Sequence, residues 1–193
     1  MSLRANLLVL ILSGIVVTLQ GCAGVVIAGG ATAGAMANDS RTTGTQVDDE
    51  VIEWKIFEAI TGNEELNKDT HLNATSYGGI VLLTGEVPNE QVRLKIDQKI
   101  KSVVGVKQLH DETTIGAPSS MMSRSGDTWI TSKVKTAFLT EDTEIGSRTK
   151  VVTDKGVVYL MGIVTPQEAD KLSEIARRVG GVQKVVKVFQ YKS

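Results

Sequence analysis

The feature that most constrains this chain is a long-period internal repeat, which outweighs any single motif and sets the domain count. Gly79-Ile80-Val81-Leu82-Leu83-Thr84-Gly85 returns as Gly156-Val157-Val158-Tyr159-Leu160-Met161-Gly162. The apolar positions Ile52, Ile56, Ala59 and Ile60 return as Ile130, Val134, Ala137 and Phe138. Pro88 and Pro166 follow the two apolar runs, and Val103-Val104-Gly105-Val106 and Val179-Gly180-Gly181-Val182 stand near the ends of the copies. The repeat predicts two domains, residues 46–116 and 126–193, joined by a linker at 117–125.

Each copy reads as helix, strand, strand, helix, strand. The first helices carry apolar residues at i, i+4, i+7 and i+8, one buried stripe. Asp127 is a good N-cap for a helix from Thr128 to Leu139. Gly78-Gly79 and Asp154-Lys155-Gly156 supply the turn chemistry of two hairpins. Pro88 and Pro166 are expected to open the second helices, where a missing N–H costs least. Those helices bury Val92, Ile96, Ile100 and Val103 in copy one, and Ala169, Leu172, Ile175, Ala176 and Val179 in copy two. A strand, a helix and a further strand imply a parallel pairing. The fold class is therefore α+β: in each copy a mixed three-stranded sheet with two helices on one face. Domains of this size sit near the lower limit for an independent core, so the copies are expected to lean on each other.

The strand-end glycines Gly85 and Gly162 and the closures at Gly105 and Gly181 resemble those of the BON domain (bacterial OsmY and nodulation). The resemblance covers nearly all of the chain after its first 45 residues. It extends to Thr45-Gln46-Val47-Asp48-Asp49 and to Asp127-Thr128-Trp129-Ile130-Thr131, stretches similar to those of dual-BON outer-membrane lipoproteins. It implies phospholipid binding and a part in envelope integrity under stress. Gly180-Gly181 and a one-residue change of spacing depart from the first copy and bear on loop shape.

The first 21 residues read as a signal peptide. Arg4 precedes an apolar run from Leu7 to Leu19, too short for a comfortable membrane span. Leu19-Gln20-Gly21-Cys22 resembles the lipobox of bacterial lipoproteins, which implies cleavage before Cys22 and acylation of it. Cys22 is the only cysteine, so no internal disulfide competes for it. Two or more acyl chains hold a protein on a membrane essentially permanently. Ala23 after the Cys, rather than Asp, implies the outer membrane. Residues 22–45, rich in Gly, Ala, Ser and Thr, read as a flexible tether spanning on the order of 25 Å.

Several function classes are excluded. With a net charge of −1, no bulk attraction to nucleic acid is expected. Two histidines and one cysteine are too few for an ordinary zinc site. No dinucleotide fingerprint or phosphate loop is present. His71 and His110 do not recur in copy two, and Glu64-Glu65 and Glu141-Asp142 read as solvated loop charge. No enzyme, metal or cofactor is expected.

The two copies differ in charge. Residues 47–116 hold seven basic and thirteen acidic side chains, a net −6; residues 126–193 hold eleven and eight, a net +3. Only copy two suits anionic headgroups, where each nearby Lys or Arg contributes about 1 kcal/mol. Its first helix places Trp129 and Leu139 away from the buried stripe, among Ser132 and Thr136 and flanked by Lys133 and Lys135. From Thr128 to Thr140 there is no acid. That combination suits a bilayer interface, whereas Glu53 and Glu58 on the aligned helix of copy one would be repelled. Trp54 and Phe57 also fall off their stripe and suggest a protein contact, most simply with copy two.

The expected function is that of an outer-membrane-anchored periplasmic lipoprotein that binds anionic phospholipid through its second domain and supports envelope integrity, including at the division site. The alternative is a protein adaptor for envelope machinery, such as the β-barrel assembly or cell-wall-splitting apparatus.

Overall fold

A computed structural model describes residues 43–192. The expected signal peptide, Cys22 and the tether up to residue 42 lie outside the described residues. The described residues all fall within one compact unit. The elements run α1 (Thr43–Thr61), α2 (Glu64–Asn67), β1 (His71–Tyr77), β2 (Ile80–Val87), α3 (Glu90–Lys101), β3 (Gln108–Asp111), β4 (Thr114–Ile115), α4 (Met121–Glu141), α5 (Thr143–Ser147), β5 (Lys150–Asp154), β6 (Val157–Val164), α6 (Pro166–Arg177) and β7 (Lys184–Tyr191). None of the helices among the described residues is long and apolar enough to cross a membrane.

The sheets are mixed. β2 pairs antiparallel with β1 and parallel with β3 and β4; β6 pairs antiparallel with β5 and parallel with β7. The last strand of copy one is broken at Glu112-Thr113, so the line expected as one strand is β3 then β4. Asp111 makes the break: one carboxylate oxygen accepts from Thr113 N at 2.8 Å and from Thr113 Oγ1 at 2.6 Å, a local turn that competes with the ladder.

Strand alternation builds three apolar layers. Val81, Leu83 and Val87 of β2 pack under α1 and α3 with Ile52, Ile56, Ile96 and Ile100. Val158, Leu160 and Val164 of β6 pack under α4 and α6 with Val134, Phe138, Leu172 and Ile175. The opposite faces meet each other. Tyr77, Leu82, Tyr159, Met161 and Val188 form a third core between the sheets. The order of layers is helices, sheet, sheet, helices, and α1 and α4 belong to opposite outer layers. The copies therefore do more than lean on each other, because each covers the other's second sheet face.

Polar contacts pin this joint. Lys150 Nζ donates to Glu53 Oε1 at 2.8 Å and to Ser76 O at 3.3 Å. Tyr77 donates its hydroxyl to Arg148 O at 3.2 Å, and Gln190 Nε2 donates to Tyr77 O at 3.0 Å. Lys155 Nζ stands 2.8 Å from Glu86 Oε1, a carboxylate with no exposed surface. Burial pushes the Glu86 carboxyl up, but the Lys155 ammonium and the Ser119 backbone outweigh it and hold the group below its ordinary value. Burial, aided by Glu86, raises nearby Asp154. Burial beside Glu112 and Asp154 pushes the Tyr159 phenol up to about 12, so it stays neutral in this layer.

Five local expectations need correction. Asp127 is not an N-cap. Ser120 is, accepting from Ser123 N, and the helix starts at Met121, inside the segment expected as linker. Asp127 is instead buried in α4 and clasps the second hairpin, accepting from Lys155 N at 2.9 Å and Gly156 N at 2.8 Å. Asp49 in α1, which begins inside the expected tether, does the same for Gly78 N at 2.7 Å and Gly79 N at 2.9 Å. Pro88 lies outside its helix, which Asn89 caps by accepting from Val92 N at 3.0 Å, whereas Pro166 does open α6. The acidic pairs are not loop residues. Glu64 and Glu65 open α2, Glu141 ends α4 and Asp142 caps α5. Closure glycines Gly105 and Gly181 hold φ of 102° and 104°, a backbone conformation that favours glycine; an added Cβ would also stand 2.8 Å from Ile52 Cδ1 and 3.1 Å from Ile130 Cγ1, side chains of the first helices that would have to give way.

A hydrogen bond to a charged group contributes about 1.5–3 kcal/mol. Asp127→Ala removes two and leaves two backbone donors without their acceptor. It should cost about 3 kcal/mol or more by urea denaturation, while Asp127→Asn, which keeps one acceptor oxygen, should cost less.

Candidate functional site

The face of interest is the outer side of α4. Val134 and Phe138 are wholly buried on its inner side, with Ile130 and Ala137 half-buried beside them. The outer side exposes Met122, Trp129 and Leu139, with Ser132 and Thr136 between them. Positions 122, 125, 129, 132, 136 and 139 advance by three or four, which keeps them on one stripe. Trp129 is 66% exposed and Leu139 51%, so both present a large part of their side chains to solvent.

Along this face the hydroxyls bond back to the helix itself. Thr128 Oγ1 donates to Arg124 O at 3.0 Å, Ser132 Oγ to Thr128 O at 3.0 Å, Thr136 Oγ1 to Ser132 O at 2.9 Å, and Thr140 Oγ1 to Thr136 O at 2.9 Å. Each donor has its partner before the face meets anything. Moving the ridge out of water therefore breaks fewer hydrogen bonds than the composition suggests.

The two lysines differ. Lys133 is half-buried and its ammonium donates to Gly180 O, so it braces the closure loop against α4. Lys135 is exposed, with no ion pair among the described residues. Glu141 is drawn off by Arg178, whose Nη2 lies 2.5 Å from Glu141 Oε2.

Copy one presents a different surface. Trp54 and Phe57 are exposed on α1, ring centroids 5.8 Å apart. They do not face copy two, as the sequence suggested, because copy two docks on the sheet. Glu53, one of the two acids expected to be repelled by anionic lipid, is half-buried; it accepts from Ser76 N at 2.7 Å and pairs with Lys150. A cleft of about 520 Å³ separates α1 from β1, with Trp54, Phe57, Ile60, Leu72 and Ala74 among its walls.

The remaining candidates stay apart. His71 opens β1, with Nδ1 3.6 Å from Glu86 Oε2. His110 sits in β3 against Gln108, with β2 between the two strands. Among the described residues no group of three or more His, Cys, Asp and Glu side chains could hold a metal ion.

The BON domain model matches residues 48–117 and again 126–193. The chain belongs to the BON-domain family. This BON protein is 40% identical over 181 residues to "Outer membrane lipoprotein DolP" of Haemophilus influenzae, covering 94% of each chain. It is 34% identical over 153 residues to a "21 kDa hemolysin" of Actinobacillus pleuropneumoniae, covering 79% of each. It is 30% identical over 145 residues to "Osmotically-inducible protein Y" of Escherichia coli, covering 74% of this chain and 72% of that one. The chain is thus a dual-BON outer-membrane lipoprotein of the DolP kind.

Sequence reasoning missed two parts of the BON sites. Met121 and Met122, 74% and 84% exposed, lie in the roughly two turns by which α4 extends before Thr128; the Ser120 cap three residues before Ser123 was the available signal. The paired clasps Asp49 and Asp127 were visible as one acid three residues before Ile52 and Ile130 in each copy.

Proposed function

We propose that this lipoprotein, acylated at Cys22 and facing the periplasm, binds anionic phospholipid through the outer face of α4 and so supports envelope integrity without catalysis. One observation carries the reading: an acid-free helical face exposes Trp129 and Leu139 on a ridge of internally bonded hydroxyls. Trp and Leu enter the interfacial region, and Lys135 at the side meets the headgroups. The acyl anchor and this face cooperate, because tethering makes the second contact intramolecular. Action under stress and at the division site is the physiological form of this reading and rests on kinship alone.

Co-sedimentation of the chain from Asn38 onward with vesicles, with and without anionic lipid, tests it. Trp129→Glu removes burial of a large aromatic, about 1.5–3 kcal/mol, and adds a repelled charge. Affinity for anionic vesicles should fall at least about tenfold, since 1.4 kcal/mol is one decade. The buried stripe is untouched, so circular dichroism should be unchanged. Added salt should weaken wild-type binding, because the lysines act through a screened potential. A folded Trp129→Glu that binds as wild type does would remove α4 as the lipid site.

A further inference from the structure

A second surface points to a different kind of partner. β1 is the edge strand of its sheet, bonded to β2 on one side only. The backbone of Ser76 points outward: its N–H meets Glu53 and its C=O meets Lys150. By strand alternation Leu72 and Ala74 point their N–H and C=O the same way, and no partner fills them among the described residues. These two residues line the cleft, whose other wall is Trp54 and Phe57 on α1. An unpaired strand edge beside an apolar cleft is the geometry that takes an extended chain as an added strand.

Copy two supplies an internal comparison. The positions aligned with Trp54 and Phe57 are Ser132 and Lys135, so the aromatic wall belongs to copy one and is not demanded by the fold. The charge also differs. Glu50 lines the same cleft, Glu58 is exposed on the same helix, and copy one carries a net −6.

We propose that an extended polypeptide segment carrying alternating apolar and basic side chains adds to β1 as a further strand. Its backbone bonds Leu72 and Ala74, its apolar side chains enter the cleft against Trp54 and Phe57, and its basic side chains meet Glu50. The site is independent of the lipid face, since α1 and α4 lie in opposite layers.

An acetylated peptide alternating lysine and valine over eight residues is the probe, titrated into the chain from Asn38 onward. Amide shifts in NMR spectra should concentrate at Leu72 and Ala74, with the Trp54 indole moving and the Trp129 indole still. Trp54→Ala and Phe57→Ala, both at exposed positions, should each weaken the peptide at least fivefold and leave vesicle binding unchanged. Trp129→Glu should do the reverse, so the two readings fail separately. A peptide methylated on alternate backbone nitrogens should lose binding if strand addition is its basis; equal binding by the methylated or by a glutamate–valine peptide overturns the proposal. It is also overturned if Leu72 and Ala74 amides do not respond, if Trp54→Ala loses vesicles instead of peptide, or if the edge is already filled by a second copy or by residues 1–37. Ultracentrifugation and a comparison of the full chain with the shorter one reveal those last two cases.

Discussion

Leu82→Asp should uncouple the two halves of the molecule. Leu82 has no exposed surface and sits among Tyr77, Tyr159, Met161 and Val188 between the sheets. Truncating a buried Leu costs about 2–5 kcal/mol, and an unpaired carboxylate there adds a desolvation penalty. Glu86 and Asp154 already place acids at the margin of this layer, with Lys155 as the nearby cation, so a third acid has no ready partner. Wild type should unfold in urea in one transition. The variant should lose about 3 kcal/mol or more and unfold in two steps, and NMR relaxation should show the copies tumbling separately. If the variant keeps a single transition at wild-type stability, the sheet-to-sheet layer is not what joins the copies. A fragment of residues 126–193 lacks both the first turn of α4 and the cover over β6, so it should fold on its own core but be less stable than the same copy in the intact chain.

Gly85→Ala should be far worse than Gly162→Ala, although the repeat aligns them. Gly85 lies in β2 at φ 115°, and an added Cβ would come 2.0 Å from His71 O on β1. That oxygen is backbone and can move only if the β1–β2 ladder shifts. Left-handed strain alone is about 1–3 kcal/mol, and the clash adds to it, so a loss of at least about 3 kcal/mol is expected. Gly162 has no positive φ, and its nearest neighbour would be Arg148 O at 3.4 Å, an ordinary contact. Its alanine variant should cost about 1 kcal/mol or less. Equal midpoints for the two variants in thermal denaturation would show that β1 yields at His71.

These two cases show what the sequence carried and what it did not. The repeat, the helix stripes and the hairpin turns were legible because they depend on spacing within one copy. The joint between copies was written in plain sight, in runs such as Ile80-Val81-Leu82-Leu83 that lack alternation. Such a run marks a strand buried on both faces, but a short apolar run does not name what covers the second face. Met121 to Ser125 was read as linker, since Ser is a turn residue, but tertiary packing of the rest of α4 carries the helix through it. On α4, Trp129 and Leu139 were placed correctly by helical angle. The restraint on Lys133 was not, since Gly180 lies 47 residues away. The cleft beside β1 escaped because an edge strand is a property of sheet order, which periodicity does not report.

The shared core between the sheets has a consequence for concentration. Two separate chains would cover those faces only by associating, and their stability would fall on dilution. Fused in tandem, each copy meets the other at an effective concentration in the millimolar range, set by the short connection. Folding becomes first-order, so a molecule alone on its patch of membrane is as stable as one in a crowd. Low abundance then carries no penalty in structure.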